Sequence, residues 1–225
     1  MTASPPIVVI NPNSTEAVTK GIDAAVAPLR LAGGPAIECL TLREGPPGIE
    51  SQRHADGVVL PLCRLAEGRP DAGAFVIACY SDPGLHLLRE ATGRPVYGIA
   101  ESAMATALTC GERFGVISIL AQSIPRHLRQ VRAMGLTARF ANDRAIGLGV
   151  LGLGDDAEAL ARMIETGQQL RDADGADVVI MGCAGMARFQ KPLAEALGIA
   201  VIEPTQVAVV MALGAVQLRG AMGGG

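Results

Sequence analysis

Tryptophan is absent from the 225 residues, and only four phenylalanines and two tyrosines are present. A core cannot rest on aromatic rings here. Ala, Val, Leu, Ile and Gly must supply it, in a chain that is 49% apolar, which suits helices packed tightly on a parallel sheet. Histidine is scarce too: His54, His86 and His127 lie far apart and show no metal-ligand spacing. The five cysteines are odd in number and form neither a disulfide framework nor zinc pairs, so no metal is expected and a reducing, cytoplasmic setting fits. A net charge of −3 with mixed signs leaves no basic stripe, which argues against a nucleic-acid partner. No apolar run reaches transmembrane length, so no membrane partner is expected. Met1 to Pro6 lacks a charged segment ahead of a long apolar run and does not read as a signal peptide. The Gly-rich tail, Ala221 to Gly225, is expected to fray.

What is present is an alternation. Short β-branched runs read as buried strands at Ile7–Ile10, Ile37–Leu42, Ala74–Ala78, Val96–Ala100, Phe114–Ile119, Val178–Met181 and Ile199–Ile202. Longer amphipathic stretches separate them. Asn13, with Glu16 three residues on, reads as the cap of a helix from Ser14 to about Leu31. Glu44–Gly48 is a loop. A helix over Gln52–Glu67 should be bent or interrupted by Pro61. Asp82 and Pro83 read as cap and first residue of the next helix. Further helices are expected over Glu101–Cys110, Gln122–Met134, Asp156–Ala173, Met186–Leu197 and Thr205–Leu218. Strand-helix alternation of this kind predicts a parallel α/β fold.

The two halves echo each other. In each, a cysteine follows the opening strand at nearly equal separation, and a helix, a strand and a Glu follow the cysteine. These residues are Cys79 with Glu101, and Cys183 with Glu203. Two like lobes would aim their strand C-termini at a shared cleft, where ligands of open α/β sheets bind. Each cysteine ends a buried strand just before a helix start, whose backbone N–H groups are expected to lower a thiol pKa or hold an oxyanion. Two similar groups on opposite faces of a stereocentre are what a cofactor-free racemase requires, since one removes a proton while its counterpart donates one. Buried cysteine more often only fills space, and Cys39, Cys63 and Cys110, inside expected elements, are read that way.

Five segments carry a family resemblance: Ile10-Asn11-Pro12-Asn13-Ser14; Ile49-Glu50-Ser51; Val76-Ile77-Ala78-Cys79 followed by Asp82-Pro83-Gly84-Leu85; Gly98-Ile99-Ala100-Glu101; and Gly182-Cys183-Ala184-Gly185-Met186-Ala187. In this order the chain resembles the aspartate/glutamate racemase superfamily, in its hydantoin and allantoin racemase branch. The resemblance implies two pseudo-symmetric Rossmann-like lobes with parallel sheets and the active site in the cleft between them. The first lobe would be 1–98 plus 206–225 and the second 99–205. It implies that Cys79 and Cys183 form the acid-base pair, without metal, pyridoxal phosphate or nucleotide. Asn13, Tyr80, Ser81, Ser118, Ile119, Gly182, Ala184 and Gly185 are the expected substrate-binding residues. Two features depart from the family pattern. Ile119 stands where relatives carry a second hydroxyl, and Gln52-Arg53-His54 replaces a more acidic stretch.

The expected activity is racemisation of 5-monosubstituted hydantoins or allantoin, in a homo-oligomer acting on a small molecule. The alternatives are an aspartate/glutamate-type racemase, a maleate-type cis-trans isomerase and a non-catalytic binding module. Outside these segments, Glu101 and Glu203 read mainly as helix starts, Arg188 and Lys191 as a solvated face, and His86 as pointing away from the Cys79 thiol.

Overall fold

The computed structural model describes residues 4–154 and 156–222; residues 1–3 and 223–225, at the ends of the two terminal segments considered above, lie outside the described residues. Eight strands form two sheets of four, all parallel. The first contains β1 (Ile7–Asn11), β2 (Ile37–Thr41), β3 (Ala74–Ile77) and β4 (Val96–Gly98) in the order β2-β1-β3-β4. The second contains β5 (Phe114–Ser118), β6 (Phe140–Ala145), β7 (Val178–Met181) and β8 (Ala200–Ile202) in the order β6-β5-β7-β8. The two orders are the same, so the echo between the halves is an echo of topology. The expected α/β fold with two parallel-sheet lobes is what the chain adopts.

Nine α-helices pack on these sheets: α1 (Glu16–Val26), α2 (Gln52–Gly57), α3 (Val59–Glu67), α4 (Leu85–Thr92), α5 (Ile99–Cys110), α6 (Ile124–Ala133), α7 (Asp156–Asp172), α8 (Gln190–Leu197) and α9 (Pro204–Met222), counted among the described residues. The inner strands are buried on both faces, which is why they read as continuous β-branched runs. One face of the first sheet, with Val8, Ile10, Phe75 and Ile77, packs on Leu62 of α3 and Leu88 of α4. Its other face, with Ile7, Val9 and Val76, packs on Ala208, Val209, Ala212 and Val216 of α9. In the second sheet Val116, Val178 and Ile180 pack on Ala100, Ala103, Met104 and Ala107 of α5. Thus α5 leaves the first sheet and covers the second, and α9 leaves the second and covers the first. Among the described residues, no helix is long and apolar enough to cross a membrane.

Several boundaries differ from expectation. Asn13 is not the cap of α1: its side-chain oxygen accepts the Thr15 N–H at 3.0 Å in a turn ahead of the helix, which opens at Glu16. That helix gives way to a 3-10 turn at Ala27, where Pro28 follows. The Gln52–Glu67 segment is interrupted at Val58, so that Pro61 falls in the first turn of α3, where a missing N–H costs nothing. Asp82 and Pro83 do not open α4; Gly84, at φ 73°, precedes it instead. Ile99 and Ala100 belong to α5 and not to β4, because the Asp82 carboxylate accepts the N–H groups of Ala100 at 3.0 Å and Glu101 at 2.8 Å and so begins that helix early. Ala184–Phe189 is 3-10 before α8 begins. The edge strand β6 is absent from the sequence reading altogether.

Candidate active site

The four inner strands end on one pocket. Asn13 follows β1, Cys79 to Ser81 follow β3, Ile119 follows β5, and Gly182 to Gly185 follow β7; all line it, together with Ile49, Val150, Ser123 and His127. Nine of the ten expected site residues therefore meet. The exception is Ser118, which is fully buried one layer behind, donating to the Asp143 carboxylate at 2.5 Å.

The surroundings of the two thiols match in kind. The Cys79 sulfur receives the backbone N–H of Ser81, and the Cys183 sulfur that of Gly185, each two residues on. Both contacts favour a thiolate, as expected of these turns. Burial nevertheless wins: it pushes Cys79 up to about 12 and Cys183 up to about 11. The expected lowering is thus not the net result, because one N–H group at each sulfur does not replace the hydration lost among the surrounding side chains. Cys183 also raises Cys79, which places the two thiols within electrostatic reach. Asp82 raises and Arg126 lowers Cys79, and Glu50 and Glu203 raise and Arg188 lowers Cys183.

The other side chains are fixed from behind. Asn11 donates to the Asn13 side-chain oxygen at 3.0 Å, which leaves the Asn13 amide N–H₂ without a protein partner among the described residues. Arg126 donates from Nε to Ser81 Oγ at 3.2 Å and from Nη2 to Ser123 Oγ at 3.1 Å, so both hydroxyls are free to donate into the pocket. A side chain at Gly182 would meet the Ile117 carbonyl at 2.7 Å, so glycine lets β7 end close against β5. Asp82, at φ 41°, is buried; besides its two backbone bonds it accepts Gln130 Nε2 at 2.6 Å, and burial raises its carboxyl to about 6. Gly98 permits this, since a Cβ there would lie 2.2 Å from the Asp82 carboxyl carbon. Over the pocket, Glu50 Oε1 accepts the Val150 N–H at 2.8 Å, joining a loop of one lobe to a loop of the other.

Sequence reasoning missed the most polar part of the site. The His127 ring lines the pocket, and its Nδ1 donates to Asp143 Oδ2 at 2.8 Å. Tyr80 meets the ring edge-on at 4.9 Å, and its own hydroxyl is buried without a partner. The spacing of His127 after Ser118 was the available signal, but Asp143 lies on the unforeseen β6. The remaining candidates do not line the pocket. His86 is exposed, Glu101 pairs with Arg89 at 2.9 Å, and Arg188 pairs with Asp156 at 2.6 Å. Glu203 caps α9 through the N–H groups of Thr205 and Gln206. Lys191 is exposed. Among the described residues no group of three or more His, Cys, Asp or Glu is placed to hold a metal ion.

Two like lobes thus bring a thiol each to one pocket. The model of the Asp/Glu/Hydantoin racemase family matches residues 7–212, and the chain belongs to that family as an isomerase of the racemase class. It is 35% identical over 207 residues to a hydantoin racemase of Paenarthrobacter aurescens, covering 90% of this chain and 87% of that one. It is 38% identical over 202 residues to a hydantoin racemase of Pseudomonas sp. (strain NS671), covering 88% and 80%. Among solved structures, the allantoin racemase from Klebsiella pneumoniae is similar with a TM-score of 0.86 and 30% identity over 98% of this chain and 89% of that one. The allantoin racemase of Pseudomonas fluorescens is similar with a TM-score of 0.88 and 27% identity over 95% and 91%.

Proposed function

We propose that the protein racemises 5-monosubstituted hydantoins or allantoin without a cofactor, with Cys79 and Cys183 as the two bases. The observation that carries this reading is the placement of both thiols on one pocket from equivalent strand ends, each with a backbone N–H at its sulfur. The thiolate of one cysteine takes the C5 proton of the ring. The C–H electron pair passes into the neighbouring carbonyl, giving an enolate-like anion. The opposite thiol then gives its proton to the other face, so the two cysteines exchange protonation states and the ring is inverted. The free donors of Asn13, Ser81 and Ser123, together with the turns at Tyr80–Ser81 and Ala184–Gly185, are suited to the anion, which favours preorganised N–H and O–H groups.

Hydantoins and allantoin are uncharged, and apolar Ile49, Ile119 and Val150 make up part of the pocket wall. Arg126, the buried cation nearest the pocket, is spent on Ser81, Ser123 and the Gln122 carbonyl, which favours an uncharged ring over a dicarboxylate. We further read the enzyme as a cytoplasmic homo-oligomer, with Val210 and Leu218 of α9 as exposed apolar positions for self-association.

The test follows optical rotation and C5 deuteration in D₂O, starting from single enantiomers of 5-benzylhydantoin, 5-methylhydantoin, allantoin, aspartate and glutamate. Loss of rotation with deuterium entry in a hydantoin or allantoin is expected. Exchange only in an amino acid, or in none of them, would sink the reading.

A further inference from the structure

We infer that His127 determines which substrates the pocket takes, by accepting an N–H of a ureide ring at its Nε2. The inference deepens the reading of the site as a hydantoin or allantoin racemase and rests on it. It begins from the repeat. In the first lobe the end of β1, α1 and the neighbouring strand β2 meet in a neutral network: Asn11 Nδ2 donates to Thr19 Oγ1 at 3.0 Å, and Thr19 shares a hydrogen with Thr41 at 2.6 Å. The second lobe places Ser118, His127 and Asp143 on the matching elements β5, α6 and β6, with Asp143 two residues before Ala145, the strand partner of Ser118. Neutral groups hold the first lobe together there. The second lobe buries an ionisable carboxyl and an imidazole, with side chains 0% and 4% exposed, which costs free energy that a merely structural network does not need.

The network fixes the imidazole. Asp143 accepts from Ser118 with one oxygen and from His127 Nδ1 with the other, so in the neutral ring the proton sits on Nδ1 and Nε2 keeps the lone pair. Among the described residues nothing donates to Nε2, and the ring lines the same pocket as the two thiols. Tyr80, set 86° to the ring plane, holds its orientation. The other free polar groups of the pocket, from Asn13, Ser81 and Ser123, are donors that suit carbonyl oxygens. A ring that carries both carbonyls and N–H groups needs an acceptor as well, and Nε2 of His127 is placed to supply it. The ammonium of an amino acid calls for a carboxylate at this place instead.

The test titrates protein labelled with ¹⁵N-histidine with unsubstituted hydantoin, 1-methylhydantoin and 3-methylhydantoin. Unsubstituted hydantoin should move the Nε2 resonance of His127 upfield and leave Nδ1–H in place. One of the two methylated rings should bind the wild type at least tenfold more weakly. His127→Asn, which keeps a donor towards Asp143 and loses the acceptor, should remove that preference; His127→Gln should restore part of it. An unmoved Nε2 at saturation, an unchanged preference in His127→Asn, or no binding of unsubstituted hydantoin would each overturn the inference. C5 exchange of a 5-monosubstituted hydantoin, measured alongside, reports the racemase reading separately. Exchange with an unmoved Nε2 sinks only the role of His127, and a moved Nε2 without exchange sinks only the racemase.

Discussion

Replacing either thiol gives the sharpest outcome. Cys79→Ser or Cys183→Ser should lower racemisation by about 10³-fold or more, because a hydroxyl in place of the thiol cannot serve as base near neutral pH. Full turnover by either single variant, followed polarimetrically, would refute a two-base mechanism. The direction of the thiol shifts adds a pH dependence. With the thiols raised to about 11 and 12, the reactive thiolate is scarce at pH 7, so kcat/KM should climb about tenfold per pH unit towards pH 10. Stability should move the other way. Cys39, Cys79 and Cys183 all hold their protons more tightly folded than unfolded, so the unfolded chain loses them first. Thermal melts should therefore show Tm falling from about pH 9 to about pH 12. His127 shows the limit of reading such residues from a chain. A histidine with no nearby ligand partner looks like filling until a strand distant in sequence brings a carboxylate to it.

The turn after β3 does more than present a thiol. Asp82 reaches from the first lobe to the start of α5 and to Gln130 of α6, and the chain reaches it only by adopting a left-handed conformation at Asp82 itself. Gly98→Ala would drive a methyl into that carboxyl. We expect a loss of about 1–3 kcal/mol in urea unfolding, as for other overpacked sites, together with a lower kcat as Ser81 and Cys79 shift. A variant as stable and active as the wild type would show that the contact relaxes freely. The same element explains what the sequence conveyed and what it hid. Buried runs such as Ile7–Asn11 and Val178–Met181 announce themselves through β-branched residues on both faces. Phe140–Ala145 is an edge strand, half-buried and carrying Asn142, Asp143 and Arg144, so no hydrophobic period marks it. The start of α5 was misplaced for another reason: its cap comes from a residue 18 positions earlier, and local patterns do not carry such a contact.

The two lobes meet over the pocket through few groups. Glu50 ties the loop after β2 to Val150 in the loop after β6, and a side chain at Gly149 would lie 2.6 Å from its carboxylate. Glu50→Ala should raise KM and lower kcat/KM about tenfold, with little change in melting, because the single part-buried bond it removes contributes closure more than stability. It should also shift the alkaline limb of the pH-rate profile to lower pH, since the carboxylate raises the Cys183 thiol. An unshifted limb in steady-state assays would show that this carboxylate does not act on the thiol. The exchange of α5 and α9 between sheets packs a helix of each half on the sheet of the other.

The lobes share a topology but not a charge distribution: Asp82 and Arg126 act on Cys79, whereas Glu50, Glu203 and Arg188 act on Cys183. Mirror-image substrates have equal free energies, so the equilibrium between them lies at unity whatever the catalyst. The proton is nevertheless lifted from a different sulfur for each hand. An enzyme with such unequal halves is expected to show different turnover numbers and different Michaelis constants for the two hands, in one compensating ratio, so that kcat/KM is the same in both directions.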